Sequence, residues 1–229
     1  MKGVALLSSG LDSVAALGLA REQGTEIKLA LTFDYGQRAA GQEIVYARKA
    51  CGAMGIWHRA INLDWLREIT KTALVNTGEA LPEPGADELD SMEKAAETAR
   101  QVWVPNRNGV FINIGASFAE ALGCGCVVAG FDAEEAATFP DNTPEFVEAA
   151  NGALGYSTLN KVKVIAPVVA MRKDEIAAEG LRLGMPLEWS WSCYLPGPRP
   201  CGRCESCRRR ERAFATAEKE DPLLRRLGL

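Results

Sequence analysis

The run Ser8-Ser9-Gly10-Leu11-Asp12-Ser13 follows the apolar segment Val4-Ala5-Leu6-Leu7 and has the composition of a phosphate site. A buried strand, a tight turn of small residues and a helix starting near Asp12 bring several backbone N–H groups and a helix N-terminus to one point, which suits a polyphosphate. Ser and Gly leave room for the ligand, and the hydroxyls of Ser8, Ser9 and Ser13 add donors. Asp12, an anion itself, is expected to cap the helix or to hold a magnesium ion. An ordinary strand–helix turn has the same local pattern, so the run alone leaves both readings open.

Cys193, Cys201, Cys204 and Cys207 form the second set. Four thiolates from one short segment can enclose a tetrahedral Zn²⁺, and the two C-x2-C steps each place two ligands on one ion. Pro196, Gly197, Pro198, Pro200 and Gly202 let the chain double back, while Arg199, Arg203 and Arg208 to Arg210 offset the charge of a tetrathiolate. Zinc is the expected metal, and an iron–sulfur cluster is the competing one. A closed tetrathiolate is structural, so no chemistry is assigned to it. Cys51, Cys124 and Cys126 read as small buried hydrophobes. His58, the single histidine, reads as a packing residue on a strand, with general-base chemistry as its alternative.

The elements that must position these sets alternate along the chain. Strand patterns fall at 4–7, 27–33, 57–63, 126–130 and 162–166, and helix patterns at 12–23, 39–54, 110–122 and 172–183. Such alternation predicts a Rossmann-like α/β fold, a parallel sheet with helices on both faces and a ligand beyond the carboxyl ends of the strands. Residues 75–100, with Gly78, Pro82, Pro84, Gly85 and many acids, are expected to form a long surface loop or lid with a short helix.

Bulk properties narrow the class. The net charge of −4 over 229 residues argues against broad nucleic-acid binding. No apolar stretch approaches the roughly 20 residues needed to span a bilayer, and residues 4–7 are too short for a signal peptide. A cytoplasmic protein is expected, in which seven cysteines would not form structural disulfides.

In this order the motifs resemble those of the 7-cyano-7-deazaguanine synthases, ATP pyrophosphatases of the PP-loop superfamily with an adenine-nucleotide α-hydrolase-like fold. That family carries S-G-G-x-D-S after its first strand. Phe33-Asp34-Tyr35-Gly36-Gln37-Arg38 matches its F-D-Y-G-Q-R, and Val104-Pro105-Asn106-Arg107-Asn108 is similar to V-P-G-R-N. Phe139 to Phe146 corresponds to Y-P-D-C-R-x-E-F, and Ser192-Cys193-Tyr194 through Cys207 agrees with the zinc segment.

The resemblance implies ATP-dependent conversion of 7-carboxy-7-deazaguanine and ammonia into 7-cyano-7-deazaguanine, a precursor of queuosine and archaeosine. It assigns ATP to Leu7, Ser8, Ser9, Gly10, Leu11, Asp12, Ser13, Val14, Ala15, Ala16 and Leu17, with Asp12 near Mg²⁺. Lys173 would neutralise phosphate, Arg107 would meet a carboxylate or phosphate, and Tyr35, Gln37 and Asp141 would form the substrate pocket. Cys193, Cys201, Cys204 and Cys207 would hold Zn²⁺. Residues 1–188 would form the ATP-binding domain, with its lid-like insertion, and 189–229 a zinc subdomain with terminal helices. A homodimer acting on small molecules, without membrane or stable nucleic-acid partner, completes the expectation.

Two departures stand out. Ser9 occupies a usual glycine position, and Asn142-Thr143 replaces Cys-Arg. Loss of that arginine leaves Arg107, Arg38 or Lys161 to receive the substrate acid. An amide ligase that adenylates the same acid once is therefore the alternative function. Further from the motifs lie tRNA thiolation through Cys124 or Cys126, and a zinc-ribbon nucleic-acid module using Arg203 and Arg208 to Arg212.

Overall fold

The computed structural model describes residues 1–85, 88, 89 and 91–229, so part of the predicted loop at 75–100 lies outside the described residues. Its strands are β1 (Lys2–Leu6), β2 (Glu26–Asp34), β3 (Trp57–Asn62), β4 (Cys126–Val128) and β5 (Lys163–Ile165). They form one parallel sheet in the order β3-β2-β1-β4-β5. The helices are α1 (Leu11–Glu22), α2 (Ala40–Met54), α3 (Asp64–Ile69), α4 (Met92–Val102), α5 (Arg107–Ala121), α6 (Ala133–Ala136), α7 (Pro144–Ser157), α8 (Lys173–Arg182), α9 (Glu205–Thr216) and α10 (Pro222–Leu227).

Successive strand residues point to opposite faces, and the core divides accordingly. Ala5, Ala30 and Val128 pack with α1, the inner side of α2 and α8. Val4, Leu31, Phe33 and Val127 pack with Ile112 and Ala116 of α5 and Leu154 of α7. The sheet is thus doubly wound, as the alternating pattern predicts. Chain order reverses on either side of β1, so the crevice at its carboxyl end is the topological switch point where such sheets bind ligands.

Gly130 brings the two sides of that crevice together. A Cβ there would lie 2.6 Å from Ser13 Cα and 2.7 Å from Ser13 N, so only glycine lets the segment after β4 approach the start of α1. Ser9 and Asn106, which stand where the S-G-G-x-D-S and V-P-G-R-N patterns have glycine, share one backbone conformation. Ser9 has φ 64° and Asn106 has φ 50°, both in the left-handed region that glycine occupies most easily. Asn tolerates that region better than most residues. Ser9 is completely buried there, and its Oγ has no hydrogen-bond partner among the described residues.

Several elements differ from expectation. The helix expected at 110–122 starts three residues earlier because Asn106 turns the chain into α5. In the lid region α4 is a regular helix whose Ala95, Ala99 and Val102 are buried. Helix α7, which periodicity did not single out, starts at Thr143, whose Oγ1 accepts from Phe146 N (3.1 Å). The cysteine-rich segment is tied closely to the sheet domain. Trp191, Cys193, Cys204, Cys207 and Leu223 pack with Ala39 and Tyr46, while Phe214 of α9 joins the α1–α8 core.

Candidate active site

A cavity of about 230 Å³ opens at the switch point. Its polar end is lined by Ser8, Gly10, Asp12, Ser13, Asp132, Glu135 and Lys173. The first N–H groups of α1 have no intrahelical acceptors and face this end of the chain turn. The serines tighten the turn: Gly10 N donates to Ser8 Oγ (3.2 Å), Ser13 Oγ donates to Gly10 O (3.0 Å), and the two hydroxyls are 3.3 Å apart. Asp12 does not cap α1, because Gly10 occupies the cap position without a side-chain bond. Its Oδ2 instead accepts from Lys173 Nζ (2.9 Å), while Oδ1 is buried without a partner.

Lys173 stands at the start of α8, only 6 % exposed, and meets three carboxylates: Asp12, Asp132 at 3.0 Å and Glu135 at 3.4 Å. Burial by itself would lower its pKa; the three acids outweigh burial and hold it well above the usual lysine value. Burial pushes Asp132 up to about 7, with Lys173 opposing. One ammonium against three acids leaves surplus negative charge beside an orphaned carboxylate oxygen. A hard divalent cation bound by oxygen ligands fits that combination.

The segment after β4 supplies two of the acids. Asp132 Oδ1 accepts from Glu134 N and Glu135 N, each at 3.0 Å, and so starts α6 with its other oxygen on Lys173. Glu134 faces away from the cavity. It accepts from Lys173 N (3.1 Å), Arg209 Nη1 (3.3 Å) and Arg212 Nη2 (2.9 Å), tying this segment to α8 and α9.

The other end of the cavity is apolar with few polar groups. Phe33 and Phe111 stack at 4.1 Å, Tyr35 tilts against Phe111, and Arg107, Asn108, Asn142 and Glu43 reach the lining. Arg107 Nη1 donates to Tyr35 Oη (3.3 Å). Of the three cations expected to replace the missing arginine, Arg107 alone lines the cavity. Arg38 donates to the carbonyls of Asn76 and Glu79, and Lys161 to Gly155 O. Thr143, at the position of that arginine, serves as the helix cap.

The predicted site residues thus divide. Leu7, Ser8, Gly10, Asp12, Ser13, Tyr35, Arg107 and Lys173 line one cavity. Ser9, Leu11, Val14, Ala15, Ala16 and Leu17 are buried beneath the turn. Gln37 is buried and positions its neighbours, accepting from Tyr35 N (3.0 Å) and donating to Phe33 O (2.8 Å). Asp141 lies beside the lining: its carbonyl accepts from Asn108, and its carboxylate accepts from Asn142 Nδ2. Asp132, Glu135 and Glu43 were not singled out from sequence. Asp132 did carry a signal, an acid just past the carboxyl end of a buried strand.

The four predicted thiols converge, with all sulfurs within 4.8 Å of one another. Cys201 Sγ and Cys207 Sγ are 3.9 Å apart, close to the roughly 3.8 Å edge of a tetrahedron with metal–sulfur distances of about 2.3 Å. Backbone N–H groups of Leu195 and Cys201 donate to Cys193 Sγ, and those of Arg203 and Cys204 to Cys201 Sγ. Hydrogen bonds from Cys204 and Cys207 hold the Cys193 thiol far below its ordinary pKa. The set fits one tetrahedral ion. Cys51 and Cys126, by contrast, are pushed by burial up to about 12 and about 11, as inert core thiols.

Residues 2–218 match the family model described as queuosine biosynthesis protein QueC. The chain belongs to that family. A 7-cyano-7-deazaguanine synthase of Methanosarcina mazei is 53% identical over 232 residues, covering 100% of both chains. One from Desulforamulus reducens is 56% identical over 214 residues, covering 93% of each. Membership in the QueC family is consistent with the polar end built on the Ser8–Ser13 turn and with the convergent cysteines.

Part of the basic run near the cysteines is buried rather than solvated. Arg209 pairs with Glu205 at 2.8 Å, Arg210 with Asp221 at 2.6 Å, and both arginines are buried. Arg203, Arg208 and Arg212 have acidic partners as well. Arg209 and Arg210 are thus neutralised inside the fold and the exposed Arg203 and Arg208 by surface acids, which leaves little free positive charge for a nucleic-acid module. His58 Nε2 is 2.9 Å from Thr32 Oγ1, away from the cavity lining, and acts in packing.

Proposed function

We propose that this enzyme converts 7-carboxy-7-deazaguanine and ammonia into 7-cyano-7-deazaguanine, using ATP twice. The carrying observation is the single cavity that joins the Ser8–Ser13 turn and Lys173 to an apolar slot with Arg107. A carboxylate is a poor electrophile. Its oxygen attacks the α-phosphorus of ATP, pyrophosphate leaves, and ammonia then displaces AMP to give the amide. The amide oxygen is adenylated in turn, and loss of AMP with a proton leaves the nitrile.

The chain's part is positioning and electrostatics. Ser8, Gly10, Ser13 and the first N–H groups of α1 hold the phosphates. Lys173 offsets the charge that builds on the departing pyrophosphate, held in line by Asp132 and Glu135. Arg107 receives the substrate carboxylate and orients it toward the phosphates. Asp12 and Asp132 would hold Mg²⁺, which would neutralise phosphate charge.

We also read the four-thiolate set as a structural zinc site, since its sulfur spacing suits one ion rather than a cluster. Residues 1–188 then form the ATP-binding domain and 189–229 a zinc subdomain. A cytoplasmic homodimer is the accompanying proposal. It is supported by Trp57, 81 % exposed on the edge strand, and by exposed Trp65 and Ile69 nearby in sequence. Among the described residues no helix is long and apolar enough to cross a membrane.

Mass-resolved turnover with 7-carboxy-7-deazaguanine, ammonium and Mg-ATP tests the reading. Nitrile with two AMP per acid is expected. Amide accumulating with one AMP would instead mark an amide ligase, and absence of AMP would reject this acid as substrate.

A further inference from the structure

Glu43 lines the cavity from the first turn of α2, and the chemistry above does not use it. The other acids of the cavity, Asp12, Asp132 and Glu135, all engage Lys173. Among the described residues no lysine or arginine comes within ion-pair distance of Glu43. Its Oε2 accepts from Gln37 Nε2 (2.8 Å), and its Oε1 accepts no bond from the described residues. Gln37 has no freedom to turn, because it also donates to Phe33 O and accepts from Tyr35 N. A buried amide therefore aims a carboxylate into the cavity beside the flat wall of Phe33 and Phe111.

An acid in a largely apolar slot, with no ion-pair partner and only the more distant charge of Arg107 to offset it, is unfavourable unless a ligand supplies donors. Burial does push this carboxyl up to about 7, the expected response to an unfilled partner. The partner must be flat, to lie on the aromatic wall, and must present N–H groups rather than positive charge. An aminopyrimidinone ring has that form: its ring N–H and adjacent exocyclic amino group are two neighbouring donors that match the two oxygens of a carboxylate.

We propose that Glu43 is a specificity-determining residue that accepts hydrogen bonds from the N1–H and 2-amino groups of the deazaguanine ring. This rests on the proposed function, and it divides substrate recognition in two. Arg107 receives the acid at position 7, and Glu43 reads the opposite, amino-bearing edge.

The test compares wild type, Glu43→Gln and Glu43→Ala on 7-carboxy-7-deazaguanine and on its analogue lacking the 2-amino group, with AMP release and calorimetric acid binding as readouts. Hydrogen bonds to a charged group are expected to give wild type a preference of about 10- to 100-fold for the amino-bearing acid. Both variants should lose most of that preference through KM and binding rather than kcat: the amino-bearing acid, which gives up two hydrogen bonds, falls further than the analogue, which gives up only the one from N1–H. A preference retained in Glu43→Gln and Glu43→Ala, or absent from wild type, would overturn the assignment. Equal losses on both acids would show a structural role instead and would also overturn it. Glu43→Gln is nearly isosteric and keeps the test open if Glu43→Ala folds poorly. Wild type releasing no AMP with either acid is a separate result: it rejects the proposed function and this inference with it.

Discussion

Lys173 Nζ lies 2.9 Å from Asp12 Oδ2, although 161 residues separate the two in the chain. The contact crosses the switch point, from the first turn of one helix to the first turn of another, and Asp132 closes it from the segment after β4 at 3.0 Å. Three segments distant in sequence thus meet on one ammonium group at the carboxyl ends of neighbouring strands. The polar end of the cavity depends on that meeting, and so do the clearest experimental expectations.

Lys173→Met should lower AMP release by about 100- to 1000-fold, the range for removing one preorganised donor from a reacting phosphate or oxyanion. It should also destabilise the fold by about 3 kcal/mol, because buried acids lose their counter-charge. Stopped-flow AMP detection and urea melts check the two effects separately. A fully active variant would place Lys173 outside the chemistry.

Arg107→Lys keeps a charge but loses the planar fork that grips a carboxylate through two N–H groups. We expect KM for the acid to rise about tenfold or more, with KM for ATP little changed. A rise in KM for ATP alone would assign Arg107 to phosphate.

Ser9→Gly should stabilise the protein. It relieves a positive φ and removes a buried hydroxyl that lacks a partner. A gain of about 1 kcal/mol follows, or a rise in Tm of about 2–4 °C at this chain length. A lower Tm would mean that the hydroxyl has a partner in solution.

Glu43 gives a pH dependence of definite sign. Its carboxyl titrates near 4.5 in the unfolded chain and about 7 in the fold, raised by burial against the opposing effects of Gln37 and Arg107, with Asp34 adding to the rise. The folded state binds the extra proton, so stability is lost as pH rises from about 4.5 through 7. Glu43→Gln cannot ionise and should escape this loss. Its Tm relative to wild type should therefore climb between pH 5 and pH 8 in paired thermal melts, over roughly the window linkage predicts. A constant difference would refute the raised pKa.

Stripping the metal with a chelator, or Cys204→Ser, should lower Tm by several degrees, since metal binding to the native state adds directly to folding free energy. Activity should fall as well, although no thiol lines the cavity. Helix α9 begins at this site, and its Arg209 and Arg212 hold Glu134, which in turn accepts from Lys173 N. Trp191 N also donates to Ser9 O (2.8 Å), which links the cysteine segment to the Ser8–Ser13 turn. Elemental analysis should find one zinc per chain before stripping. Full activity without metal would refute the coupling.

What sequence alone determined is local or periodic. The alternation of strands and helices specified a parallel α/β sheet because its two periods are written along each segment. The Ser8–Ser13 turn after β1 was legible because its residues are contiguous. The thiol set was recognisable because its ligands lie within one short loop. Tertiary structure decided what depends on approach between distant segments. It showed that Gln37 aims Glu43, that Asp141 stands beside the lining, and that Asp12 pairs with Lys173 without capping its helix. It also showed that the arginines after the cysteines are consumed in ion pairs. Ser9 and Asn106 became intelligible only as backbone conformations, since a positive φ is a property of the folded chain rather than of residue type. A charge or hydroxyl in a sequence has no partner until the fold brings one within hydrogen-bond reach, and that is why the site's electrostatics could not be read one segment at a time.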